Sequence, residues 1–259
     1  MRIITNADDF GMDADTVQAT IECLEAGDLT SATIMPHMPA TDQAAAYAAA
    51  HPDKSFGVHL TYITDTVEAP LCAAATLPTL ATPEGEFFPS QTVRWRALRG
   101  RLSVDDIERE TAAQIQRLID LGVRPAHVDS HGHLHKFKPF RLALRNVLPR
   151  FGITKIRNVQ NVYLRKPLKS PTYWLGPLWR RKIMKWFTTT DNFFMPMSEQ
   201  TDVTWPSELA ARLRSMATLE VGVHPGHAQP WRDAERRAIH DFAQAAKAQG
   251  HQLIGWKDL

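Results

Sequence analysis

The chain has 259 residues, 44% of them hydrophobic and 22% charged, with a formal net charge of +2. This is the composition of an ordinary soluble protein with enough apolar residues for a sizeable core, and the near-neutral charge argues against a nucleic-acid binder. Cys23 and Cys72 form no CxxC pair, so neither a disulfide framework nor a thiolate zinc site is expected. The opening "MRIITNADDFG" lacks a signal peptide's apolar core, and no run of 18 apolar residues suggests a membrane span. A cytoplasmic protein is expected.

Short β-rich runs alternate with helical patterns. Strands are predicted at 2–7, 31–36 and 55–60, with helices at 13–26 and 41–50 between them. An irregular stretch, 61–102, carries many prolines and threonines. A helix then starts at Ser103, with Asp106 as a capping-box-like partner, and runs to Gly122. Strand 126–130, helix 139–150 and strand 155–160 follow. Beyond a basic segment come helix 206–217, strand 218–225, helix 233–249 and strand 251–256. Such alternation predicts a parallel sheet, with right-handed crossovers placing every strand's C-terminal end on one rim. About seven strands suit a (β/α) barrel, distorted or incomplete, better than a doubly wound open sheet. A single domain over 1–259 is expected, with an inserted basic-aromatic segment at about 161–198.

In such folds function collects after the strands. Asp8 and Asp9 follow the first strand, His59 ends the third, Asp129 and His131 the fourth, and His224 the strand at 218–225. Groups that bind metals or transfer protons thus converge on one rim from four parts of the chain. The densest cluster is "HVDSHGHLH", His127 to His135. On a helix, His127, His131 and His135 would share a face. On a strand, His127, Asp129 and His131 would. Pro125, the β-branched Val128 and Gly132 favour strand then loop, and Gly132 stands where a zincin helix needs glutamate. Not all four histidines can be ligands, so some must orient the others.

"NADDFG" at 6–11, "GVH" at 57–59, "HVDSHGHLH" at 127–135 and "VHPGH" at 223–227 appear in that order. Together they closely resemble the YdjC-like carbohydrate deacetylases, a family that includes chitooligosaccharide and hopanoid-biosynthesis deacetylases. The resemblance implies a barrel related to the polysaccharide deacetylases and a divalent-metal-dependent hydrolase acting on N-acetylated sugars. It implies Asp9, His59 and His131 as metal ligands, Asp8 as general base, and His224 as the group serving the far side of the scissile bond. Magnesium is the ion the resemblance implies, whereas imidazole ligands suit zinc or another transition metal better. The resemblance assigns no individual duties to Asp129, His133 and His135, and no motif within 161–198 aligns with it.

Residues 163–187 hold seven Lys/Arg and no acid, together with Trp174, Trp179 and Trp186. From Leu178 onward Trp179, Ile183 and Trp186/Phe187 share a helical face. Three readings stay open: a helix packed on the barrel by its aromatic stripe, an interfacial helix making peripheral contact with an anionic membrane's inner face and a lipid-linked glycan, or a segment binding an anionic polymer or nucleic acid. A homodimer is a further open possibility. Competing functions are another metal-dependent barrel hydrolase, of amidohydrolase or phosphoesterase type, and a non-catalytic glycan- or lipid-binding protein on the same scaffold.

Overall fold

The computed structural model describes the chain except for residues 65–68, 197–202 and 214–215. β1 (Arg2–Phe10), α1 (Ala14–Glu25), β2 (Ser31–Ile34), α2 (Thr41–Ala50) and β3 (Ser55–Leu60) alternate regularly. After a long connection come α3 (Ser90–Leu98), α4 (Val104–Asp120), β4 (Val128–Ser130) and α5 (Lys138–Val147). The chain then runs through α6 (Pro171–Met184), β5 (Asn192–Phe194), α7 (Trp205–Ala210), β6 (Thr218–Val223), α8 (Pro230–Ala248) and β7 (Gln252–Leu253).

Every strand pair is parallel, in the order β4-β3-β2-β1-β6-β5, with β7 attached to β1. Isolated parallel bridges continue past β4: Val128 pairs with Ile156, and Lys155 with Thr188, just ahead of β5. The sheet therefore curls toward its own far edge through segments too short to be strands. This is the distorted, incomplete barrel the sequence predicted.

The period of two explains the layers. Ala7, Ala32, Val58, Val128 and Val221 face outward into one core beneath the helices. Their neighbours Asn6, Thr33, His59, Asp129 and Glu220 are buried and bond to one another or to Arg157 inside the barrel. The interior is thus polar where barrels of this kind usually hold aliphatic layers. Helix starts follow local chemistry. Asp13 caps α1, accepting from the Thr16 amide at 2.8 Å while the Thr16 hydroxyl accepts from the Asp13 amide. Ser103 caps α4 as expected, but Asp106 turns its carboxylate to the Thr79 amide and hydroxyl instead of closing a box.

Several boundaries differ from expectation. The strand predicted at 155–160 shrinks to bridges at Lys155 and Ile156, because Asn158 occupies the neighbouring backbone groups. Its Oδ1 accepts from the Val159 amide and its Nδ2 donates to the Thr190 carbonyl, displacing the ladder. The helix expected from 206 ends at Ala210, and the strand at 251–256 keeps only Gln252–Leu253 before Trp256 enters a 3-10 turn. α3, inside the stretch read as irregular, and the three-residue β5 were not predicted.

The N-terminal end of the barrel is plugged. Trp256 stacks on His127 at 4.6 Å between ring centroids, beside Ile4 and Ile254. A Cβ on Gly57 would lie 2.5 Å from the His127 ring and 2.7 Å from its carbonyl oxygen, so only glycine leaves room there. Gly57→Ala should cost about 1–3 kcal/mol through overpacking, measured by urea or thermal unfolding. Unchanged stability would show that this plug yields freely.

Candidate metal centre

The carboxyl ends of the strands gather the site. Along an extended β1, Asp8 would face the interior and Asp9 the helices. Asp9 instead adopts φ 60°, a left-handed conformation uncommon outside glycine, and the β1–β2 register shifts between Ala7 and Phe10. This local distortion lets two consecutive carboxylates reach interior partners.

Asp9 Oδ1 lies 3.3 Å from His59 Nε2 and 3.1 Å from His131 Nδ1. The three donor atoms fall within 4.8 Å of one another. Ligands about 2.1 Å from a common ion and 90–110° apart stand roughly 3.0–3.4 Å from each other, so the observed spacing fits one ion with little movement. One carboxylate and two imidazoles also leave coordination positions for water and substrate, as catalytic sites require. These residues can hold a divalent metal.

The surroundings orient this group. His59 Nδ1 donates to Asp129 Oδ1 at 2.6 Å, which aims Nε2 at Asp9. Burial alone would lower the His59 imidazolium, but Asp129, Asp9 and Asp8 raise it to about 10. Arg157, fully buried, contacts Asp8 through two bonds of 2.5 and 2.7 Å, Asp129 at 2.7 Å and Glu220 at 2.8 Å. Burial would raise the Asp8 carboxyl; Arg157 outweighs it and holds the group well below the usual carboxylate range. Glu220, by contrast, is pushed by burial up to about 7 despite the same guanidinium.

His224, after β6, is held from α8. The Glu235 carboxylate accepts from its backbone amide at 2.7 Å and from its Nδ1 at 3.1 Å. Burial opposes protonation of this ring, but the Glu235 charge prevails and its pKa rises above the ordinary imidazole value. Arg232, one turn earlier on α8, donates to Asp9 Oδ2 at 2.7 Å.

The other cluster histidines divide their duties. His127 belongs to the plug below. His135 accepts from or donates to the Ser130 hydroxyl at 2.8 Å, and burial lowers it to about 3. Burial also lowers His133 well below its usual value; it sits in a left-handed turn with Gly132. Both rings line a cavity of about 120 Å³ with Lys136, Asn158 and Gln160. Sequence reading missed Arg157, Glu220, Arg232 and Glu235. A cation and an anion inside two predicted strands, Arg157 and Glu220, were the available signal; Arg232 and Glu235 gave none.

Fold and site together define a barrel protein with a candidate metal centre at its carboxyl rim. The sequence matches the family described as YdjC-like protein over residues 2–252, and the chain belongs to that family. It is 34% identical over 165 residues to a carbohydrate deacetylase of Halalkalibacterium halodurans, covering 62% of this chain and 67% of that one. It is 39% identical over 133 residues to a carbohydrate deacetylase of Geobacillus stearothermophilus, covering 51% and 50%. The aligned regions thus span half to two thirds of these relatives' length. A solved structure of a cellobiose-phosphate cleavage protein from Enterococcus faecalis V583 superposes with TM-score 0.77 at 20% identity, over 99% of this chain and 98% of that one. That similarity supports the fold.

Because His59 carries a proton below about pH 10 in the ion-free site, an incoming ion must displace it. Isothermal titration with zinc in buffers of different ionisation enthalpy should show about one proton released per ion, and affinity rising with pH through neutrality. His59→Ala or His131→Ala should abolish binding, and Asp129→Asn should weaken it roughly 10–100-fold. Undiminished binding by both histidine variants would place the ion elsewhere.

Proposed function

We propose that this chain is a metal-dependent hydrolase that removes the N-acetyl group from an N-acetylated sugar and releases acetate. The observation that carries the reading is the Asp9–His59–His131 group flanked by two groups of opposite proton affinity, Asp8 and His224. The carbohydrate deacetylase names of its relatives support the same reading.

Amide hydrolysis needs a nucleophile, an electrophilic carbonyl and a proton for the departing amine. In this proposal Asp9, His59 and His131 hold the ion, Asp8 is the base and His224 the acid. A divalent ion there would polarise the acetyl carbonyl and lower the pKa of water from about 16, toward roughly 7 if it is zinc. That help matters, because Arg157 makes Asp8 a weak base: both its oxygens already accept hydrogen bonds. A carboxylate retains spare lone pairs, so Asp8 can still accept a proton from water already made acidic. Arg157 keeps it ionised and fixed in place.

His224 has the complementary property. Glu235 orients the ring through Nδ1 and keeps it protonated to higher pH, leaving Nε2 to donate to the leaving nitrogen. His133 and His135, neutral through burial, line the adjacent cavity and offer ring nitrogens to sugar hydroxyls. The donor set favours zinc, cobalt or nickel on softness; magnesium rests on family resemblance alone.

Acetate release from N-acetylglucosamine oligosaccharides, measured enzymatically, tests the reaction class. A chelator should abolish it, and Asp8→Asn should lower kcat by roughly 10²–10⁴-fold. Phosphate release from sugar phosphates in place of acetate release would overturn the reading. Removing the charge beside His224 by Glu235→Gln should move the alkaline limb of the kcat/KM profile to lower pH, since the raising influence is gone. An unmoved limb would remove His224 from the acid role.

A further inference from the structure

Eight large hydrophobic side chains stand exposed among the described residues, and seven fall in two short stretches. Trp95 and Leu98 lie on α3; Leu168, Trp174, Leu175, Leu178 and Met184 lie on α6 or just before it. Both stretches are basic and free of acids: 163–187 carries seven Lys/Arg, and 87–104 carries Arg94, Arg96, Arg99 and Arg101. Packing does not explain this. Trp179 and Ile183 form the buried stripe the sequence predicted, yet Trp174 is 66% exposed and Leu178 53%. A helix docked by one stripe would present a polar outer face, and α6 does not.

Both stretches touch the segment that follows His131. Arg94 Nη2 donates to the Gly132 carbonyl at 2.6 Å, so α3 holds the loop that carries His131. From α6, Trp179 packs on Phe137 at 5.2 Å, and Lys136 Nζ lies 5.6 Å from the Trp179 ring. A cavity of about 670 Å³ runs between α6 and residues 160–163, lined by Tyr173, Trp174 and Arg181. It shares Gln160 and Tyr163 with the small cavity at His133 and His135. The exposed helix thus adjoins the cavity lined by His133 and His135, two and four residues beyond His131.

We propose that α3 and α6, with residues 165–170, form a docking face for an anionic lipid bilayer and bring the mouth of the site to the membrane surface. Interfacial helices combine tryptophan and leucine with lysine and arginine in this way, and eight exposed Lys/Arg in two stretches without one carboxylate match an anionic leaflet. Nucleic acid fits less well, because leucine and methionine offer no stacking face to a base. The docking face does not depend on the proposed reaction.

The test uses the full chain with vesicles of phosphatidylglycerol and phosphatidylcholine, or phosphatidylcholine alone, in a sedimentation assay at low salt. Binding should require phosphatidylglycerol and disappear near ~0.5 M salt. Charge reversal at either patch, Arg99→Glu/Arg101→Glu or Lys169→Glu/Lys182→Glu, should weaken it at least about tenfold with thermal unfolding unchanged. Lipids brominated in the chains should quench tryptophan fluorescence, less in Trp95→Phe and in Trp174→Phe. Absence of binding, indifference to lipid charge, indifference to both reversals, or tighter binding to RNA at the same salt overturns the proposal. Because these readouts involve no turnover, an inactive protein that binds vesicles leaves the docking face standing and the deacetylase reading fallen.

Discussion

The interior of this barrel depends on one buried guanidinium. Arg157 reaches Asp8, Asp129 and Glu220, three carboxylates from three strands, all closed to solvent. Isolated in that setting each anion would cost several kcal/mol to bury, and a cation at their centre is what makes the layer tolerable. The balance is incomplete, since one positive charge faces three negative ones. Glu220 answers by drawing its pKa up to about 7, and His59 by holding a proton to about pH 10.

That imbalance explains the character of the rim above it. Asp9 adds another carboxylate, brought there by a left-handed residue at the end of β1 and met by Arg232 on one oxygen only. Its other oxygen faces two imidazoles. The site is therefore electrostatically set for a further cation, which either the His59 proton or a metal ion can supply. Proton and ion compete for the same attraction, with Asp129 holding the ring in place for both. The strained backbone at Asp9 fits this view, because left-handed non-glycine residues persist where surrounding contacts fix them.

How much of this was legible in sequence depended on how locally it was encoded. The strand ends were readable because apolar alternation and short connections mark them. Asp9, His59 and His131 stood out as unusual residues at those ends, and the structure does bring them together. Arg157 was not recognised, because a single arginine in "KIRNVQ" reads like an edge-strand surface residue; its three partners lie 28 to 149 positions away. The same stretch was expected to be a full strand, and Asn158 cut it short by bonding to nearby backbone. α3 escaped notice because Trp95 and Leu98 stay in solvent, so its sequence lacks the apolar stripe that a packed helix displays. The feature that hid the helix from pattern reading is the one that sets it apart on the surface.

The final link between fold and chemistry runs through α8. Arg232 and Glu235 are three residues apart on its first turns, so they emerge on one face of the helix. The first holds Asp9, a member of the candidate metal group, and the second holds His224, the candidate acid. The spacing between these two groups is therefore fixed by helix geometry and not left to the loop after β6. Pro230 at the start of the helix and Asp15 of α1, which accepts from the amides of His227 and Ala228, anchor the intervening turn. A reaction that needs an activated carbonyl on one side of a bond and a proton on the other requires such fixed separation. Here it arises from one turn of helix laid across the rim, with opposite charges at its two contact points.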